Sequence, residues 1–287
     1  MTDRPATPPS SATVQPLALS ALLSGDTPLD QLLAQTEDRI RREPRTIAHR
    51  WFLFELLCVL GDWTRALKQL QVCAQLDLGL VSTAHVYRDL VRAESFRAQV
   101  FEGKRTPGFA LTPPAWVDGM LQALQPASAG AHEAADTCRA SALDVAPLTS
   151  GATDKGSFGW ITDSDSRLGP ICELVAGGHY RWIPFCQLTA LTMQAPTRLL
   201  DLVWSATVVV LADGTTLRGY LPVRYVGTEW GSDAQRLARE TSWSYAGSTG
   251  VIGCGQRTWL IDGGDVGLLD VRTCQFNPST VATDENT

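Results

Sequence analysis

Apolar residues recur at helical spacing from about Leu17 to Leu124, and from Phe158 onward they alternate. That change of period predicts an α+β chain. An all-helical, repeat-like (tetratricopeptide-like) N-terminal domain precedes an antiparallel β-rich C-terminal domain with one short helix. Thr46 to Leu60 is apolar nearly all round, which places this helix centrally. Gly61-Asp62 stops it, because Gly suits the left-handed C-cap and Asp caps the start of the next helix. Trp63 to Leu76 is one-sided, with Trp63, Ala66, Leu67, Leu70, Cys73 and Ala74 on a single face. A long helix follows over about Ser82 to Phe101, and Gly103 ends it. Thr112-Pro113-Pro114 then opens a short helix through Leu124. Leu23-Ser24-Gly25-Asp26 and Leu60-Gly61-Asp62 recur 36 residues apart, close to the period of about 34 of a tetratricopeptide array. In such a hairpin Ala66 lets two helices approach, and the aromatic Trp63 fills the wedge between them.

In the second half, paired apolar runs flank Gly177-Gly178, Asp213-Gly214 and Gly263-Gly264, which predicts three hairpins. Ser232-Asp233 caps the one expected helix, Ala234 to Glu240. The expected organisation is a disordered tail over 1–15, a helical domain over 16–125, a linker over 126–157, a β-rich domain over 158–277 and a second tail over 278–287. The linker is rich in Ala, Ser, Gly and Thr, with a short helix around His132 to Ala142. Its weak apolar content predicts two halves that fold independently.

Composition narrows the function classes. The chain has 287 residues, 44% of them hydrophobic and 19% charged, with a mean hydropathy of −0.03. No stretch reaches the ~18 apolar residues of a membrane span, and residues 1–15 lack the apolar core of a secretory signal. A cytoplasmic protein is therefore expected. Net charge is −6 and spread over both halves, so no basic footprint points to nucleic acid. Seven Cys, with no CxxC pair, predict neither a disulfide framework nor a zinc site.

The chemistry-bearing motifs are few. None of His49, His85, His132 and His179 has a partner at ligand spacing, and there is no GxSxG and no Walker loop. Gly250 to Gly255 lacks the strand–helix context of a nucleotide loop. The densest polar cluster is the loop Asp163-Ser164-Asp165-Ser166-Arg167-Leu168-Gly169-Pro170. Two Asp at i, i+2 suit a divalent cation, which supports an alternative reading as a metal-dependent hydrolase. Against it, no third carboxylate, His or Lys converges on the loop in sequence. The expected role of Asp163, Asp165, Arg167, Gly169 and Pro170 is structural: Asp and Ser caps fold the loop back, and Arg167 pairs with an Asp. No cofactor and no catalytic set are expected. A further possibility is a scaffold whose β-rich half binds a small ligand.

On the long helix Arg88 and Arg92 share a face. Helix-repeat domains present such faces in grooves that receive partner helices. The candidate partner-binding residues are Arg88, Arg92, Trp51 and Tyr87 in the helical half, with Trp160, Trp182 and Arg224 in the β-rich half.

Several segments together resemble one known family. They are Arg50 to Leu57 with Leu60 to Ala66; Tyr87-Arg88 through Arg92-Ala93-Glu94 to Arg97–Phe101; Trp160 to Pro170; Gly178 to Phe185; Asp201 to Trp204; Pro222 to Tyr225; and Arg236 to Trp243 with Gly255-Gln256-Arg257. This set resembles the ImpE/TagJ family of type VI secretion accessory proteins, over roughly Leu17 to Phe276. The resemblance implies a cytoplasmic, non-enzymatic accessory of the contractile sheath. It implies binding to the N-terminal helix of the small sheath subunit and, through it, a link to the sheath-disassembly ATPase.

Overall fold

The computed structural model describes residues 27–277, so both expected tails and the first copy of the repeat signature lie outside the described residues. The helical half begins with α1 (Leu29–Arg42), α2 (Ile47–Leu60), α3 (Trp63–Leu76) and α4 (Val81–Phe101). Then come the short strand β1 (Gly108–Phe109) and the helices α5 (Trp116–Ser128) and α6 (His132–Val145). None of these helices is long and apolar enough to cross a membrane.

The α2–α3 turn forms as its residues dictate. Gly61 takes φ +75 at the C-cap, and the Asp62 carboxylate accepts from the Arg65 N–H. Gly61 has a second reason to be Gly. A Cβ there would lie 2.5 Å from the Glu229 Cβ, so a loop of the β-rich half packs directly on this turn. Ala66 is fully buried, as close helix packing requires. Trp63 packs against the core and also reaches beyond the helical array. Its ring lies 5.8 Å from that of Trp204, across the junction of the two halves.

The second half contributes β2 (Ser150–Thr153), β3 (Gly156–Phe158), β4 (Ile161–Asp163), β5 (Ile171–Ala176), β6 (His179–Pro184), β7 (Leu188–Met193), β8 (Trp204–Leu211) and β9 (Thr216–Pro222). After the one-turn helix α7 (Asp233–Arg236) come β10 (Thr241–Ala246), β11 (Gly250–Gly255), β12 (Thr258–Ile261), β13 (Gly264–Gly267) and β14 (Thr273–Asn277). A nine-stranded sheet runs in the order β1-β6-β5-β9-β8-β7-β14-β2-β3. It is antiparallel apart from the β1–β6 pair. A three-stranded sheet β13-β12-β4 and the hairpin β10-β11 complete the half. The three expected hairpins are β5–β6, β8–β9 and β12–β13. Helix α7 is shorter than expected because Ala238 adopts φ +52, a left-handed conformation that ends the helix. The Gln256 side-chain amide donates to the Ala238 carbonyl there, at 2.7 Å.

The period-two pattern of β5 explains how the layers stack. All six of its residues are buried, so both faces of the strand are covered. Ile171 and Val175 join a core shared with the helices, while Cys172, Leu174 and Ala176 join a second core on the opposite face. The shared core also takes in Phe54, Leu57, Tyr87 and Val100 from the helices and Trp182 and Trp204 from the strands. This shared core argues against halves that fold independently. Weak apolar content over 126–157 signals a linker only when no neighbour buries it. Here α6 packs on α5, and β2 pairs with β14 inside the large sheet.

With one core shared across the junction, unfolding is expected to be a single event. Trp204→Ala removes a fully buried ring that touches Trp63 and Tyr87, at an expected cost of about 3–5 kcal/mol. Far-UV and near-UV melting curves should move down together. Two separated transitions would contradict the shared core.

Candidate functional site

The Asp163–Pro170 loop and the motifs around it converge on a buried ion-pair network between the two halves. Alternation along β5 turns Glu173 toward the helices, between Ile171 and Val175. Helix α4 supplies the partner. Arg97 grips Glu173 with two parallel hydrogen bonds, Nε to Oε1 at 2.6 Å and Nη2 to Oε2 at 2.8 Å. Arg257 reaches Glu173 Oε2 from the other side at 2.8 Å and donates to Asp163 Oδ2 at 2.6 Å. The Tyr180 hydroxyl also donates to Glu173, and accepts from the Trp182 indole N–H at 2.7 Å. One turn earlier on α4, Glu94 receives Arg97 Nη1 at 3.3 Å and the Trp204 indole N–H at 2.8 Å.

Burial alone would push the Glu173 carboxyl up. The Arg97 and Arg257 charges and the hydrogen bonds from Arg97 and Tyr180 outweigh it and hold the group down at about 2. Asp163 is pushed up to about 6 by burial and by the neighbouring Asp165 charge, against the pull of Arg257.

The loop itself is closed by its own residues. Asp163 Oδ1 accepts from the Asp165 N–H at 2.9 Å. Asp165 is chelated by Arg167, whose Nε lies 2.9 Å from Oδ1 and whose Nη2 binds Oδ2. The Gly253 N–H donates to Asp165 Oδ2 as well. The Arg167 guanidinium rests 4.8 Å from the centroid of the Phe101 ring on α4. Gly169 takes φ +58 and would press a Cβ against Met120 and Leu143, and the Pro170 carbonyl accepts from the Phe185 N–H. A cation entering between Asp163 and Asp165 would have to displace two guanidinium groups and three backbone donors, the N–H groups of Asp165, Arg167 and Gly253. Among the described residues no cluster of three or more His, Cys, Asp or Glu is arranged to hold a metal. Burial pushes the Cys172 thiol up to about 12, which removes it as a thiolate nucleophile.

The seven candidate partner-binding residues do not form one exposed surface, although Trp51 and Tyr87 touch. Tyr87 and Trp182 are core side chains at 3% and 0% exposure. Arg224 is also buried. Its guanidinium donates to the Val59 and Cys58 carbonyls at the C-terminus of α2, at 2.6 and 3.1 Å, and to the Arg236 carbonyl at 2.7 Å. That is a capping contact with the negative end of a helix dipole. No partner reaches these three side chains in this conformation. Trp51 is half-buried, stacked edge-on with Phe54 and Tyr87, and donates to Glu55 at 3.0 Å. Burial pushes that Glu55 carboxyl up to about 7. Trp160 is half-buried just before β4. Arg88 is half-buried, and Arg92 is exposed on the outer face of α4, 3.8 Å from Asp89.

Several members of the network escape a reading of sequence alone. The signal for Glu173 is a lone charge inside the apolar run Ile171 to Ala176, and for Arg97 a charge on the buried stripe of α4. Asp136 has no such signal. It lies in the segment expected to be a linker, yet it binds the backbone N–H and hydroxyl of both Ser248 and Thr249 and so ties α6 to the β10–β11 turn. Those hydrogen bonds, led by the Thr249 hydroxyl, hold its carboxyl well below the usual range.

The family described as ImpE protein matches residues 155–275. The type VI secretion system accessory component TagJ of Pseudomonas aeruginosa is 38% identical over 252 residues, covering 88% of this chain and 88% of that protein. A crystal structure of protein VPA1032 from Vibrio parahaemolyticus superposes with a TM-score of 0.82 at 26% identity. The match covers 90% of this chain and 96% of that one.

Two outcomes follow from the network. Glu173→Gln leaves Arg97 and Arg257 short of a counter-charge, with an expected cost of about 3–5 kcal/mol. Because the folded Glu173 carboxyl sits below its unfolded value, its stabilisation is present above about pH 4.5 and is lost as pH falls toward 2. The difference in melting temperature between wild type and variant should therefore shrink over that interval, and a constant difference would contradict the assignment. Calorimetry with Mg²⁺, Ca²⁺ and Mn²⁺ should give no heat tighter than about millimolar. A micromolar signal abolished by Asp165→Ala would revive the hydrolase reading.

Proposed function

This chain belongs to the ImpE family of type VI secretion accessory proteins, and from that premise we propose that it is a non-enzymatic adaptor of the contractile sheath, acting in the cytoplasm. In this reading it binds the N-terminal helix of the small sheath subunit and is linked through it to the sheath-disassembly ATPase. The observation that carries the reading is the 38% identity to an accessory component of that machine over 88% of both chains.

The chemistry of the interior is consistent with an adaptor. The densest polar cluster pairs the carboxylates of Glu94, Glu173, Asp163 and Asp165 with the guanidinium groups of Arg97, Arg257 and Arg167. Catalysis by general acid and base needs a carboxyl or imidazole free to exchange a proton with substrate. The buried carboxylates of this cluster are instead committed to holding two halves of the molecule together.

The test is affinity capture of the full chain from its native cytoplasm. The small sheath subunit should be recovered, and removal of that subunit's N-terminal segment should abolish recovery. Undiminished capture of the truncated subunit would move the contact elsewhere on the sheath, and absence of the sheath subunit from the captured material would overturn the reading.

A further inference from the structure

One cleft on the outer surface is joined to the buried network through Tyr180. It lies between α4 and the edge of the large sheet and encloses about 500 Å³, within the range of sites that seat a ligand or a few anchor side chains. Phe96 of α4, Phe109 of β1 and Tyr180 of β6 form its aromatic floor, and Arg92, His179 and Arg181 stand on its rim. The Phe96 and Tyr180 rings meet edge to face at 6.3 Å, and the Tyr180 hydroxyl is the one bound to Glu173. The strand β1 spans only two residues, so the sheet edge here is short.

The charge of the cleft runs against that of the chain. The protein carries −6 overall, yet the rim presents two guanidinium groups against one carboxylate, Asp89. The Arg92 side chain is 67% exposed. Arg181 is anchored by its donation to the Ala176 and His179 carbonyls, which fixes its position at the β5–β6 turn. The other charged groups of this stretch of α4, Glu94 and Arg97, turn inward to the network and contribute nothing to the rim.

We infer that this cleft is the docking surface for an acidic amphipathic helix, with apolar anchors on the aromatic floor and carboxylates facing Arg92 and Arg181. The inference rests on the sheath-binding reading and assigns the place and the chemistry of that contact. Anchors at i, i+3 or i+4, and i+7 lie along one face of a helix, the side that such a partner lays into an apolar groove. Interface energy concentrates on aromatic and Arg residues, and both kinds meet here. Arg92 connects this cleft to the outer face of α4 singled out in the sequence.

The experiment titrates the full chain with the N-terminal peptide of the small sheath subunit. Arg92→Glu combined with His179→Glu inverts the rim and should weaken binding about tenfold or more, with the melting temperature unchanged. Lys68→Glu, on the exposed side of α3, should bind as wild type does. A peptide with its Asp and Glu replaced by Asn and Gln should lose a similar factor, and wild-type binding should weaken with added salt. In wild type, bound peptide should slow amide exchange at 107–110 and 177–181. That measurement decides the matter if the rim variant folds poorly. Wild-type affinity in a folded rim variant, an equal loss in Lys68→Glu, full binding of the neutralised peptide, or protection confined to other segments would each overturn the docking site while leaving sheath binding intact. Failure of wild type to bind the peptide would overturn the sheath-binding reading itself and the docking site with it.

Discussion

The fixed point of this structure is a carboxylate sealed from water. Glu173 sits at 0% exposure in the middle of a strand whose other residues are apolar. An unpaired charge there would be prohibitive. Two arginines and a tyrosine must therefore be delivered to it, and each comes from a different part of the chain. Arg97 requires α4 to lie across the strand, Arg257 requires the turn into β12 to pass beneath it, and Tyr180 requires the β5–β6 register to hold. The positions of these elements are thus coupled. Displacing one strands a buried charge, which costs several kcal/mol, whereas apolar surface uncovered by a similar slide is partly reburied against new neighbours.

The same requirement accounts for why the segments that resemble the family are so rich in Arg and Asp without forming an active site. Arg257 brings a second positive charge into the interior, and Asp163 answers it. Asp165 stands two residues on, and Arg167 answers that. The Arg167 guanidinium then returns to α4 by stacking on Phe101. Bidentate geometry and a flat face for stacking are properties of guanidinium that an ammonium lacks. A role for Arg at these positions follows from that geometry.

Much of the architecture is legible in the sequence because it rests on local signals. Gly61-Asp62 reads as a cap pair and is one. Gly177-Gly178 and Asp213-Gly214 read as hairpin turns and are. The sequence pattern assigns only the strands of the three hairpins; β1, β2, β3, β4, β7, β10, β11 and β14 go unassigned, and β14 finds its neighbours β2 and β7 only through long-range pairing. The junction is illegible for a related reason. A buried Arg and a surface Arg on a helix look alike in sequence, so Arg88 and Arg97 can be separated only by knowing what packs on α4. Arg224 illustrates the same limit: its neighbours in sequence say nothing of the α2 carbonyls it caps from 165 and 166 positions away. The Asp163–Pro170 loop is the exception, since its Asp, Ser, Gly and Pro content dictates a self-bonded turn before any tertiary contact forms.

A rigid interior also governs what the surface can do. Tyr180 faces the cleft with its ring and the network with its hydroxyl, so the cleft floor is set by the same bonds that set the junction. Phe96 lies one residue before Arg97 on α4 and is held by the same helix placement. A floor fixed in this way does not have to be ordered when a partner arrives, and the entropy that a flexible groove would lose on binding is spared. Arg92 and His179, by contrast, stand exposed on the rim. The division of labour follows from burial: the charges of the network, which cannot reach water, are committed to holding the fold, and the recognition proposed for the cleft falls to charges on its rim.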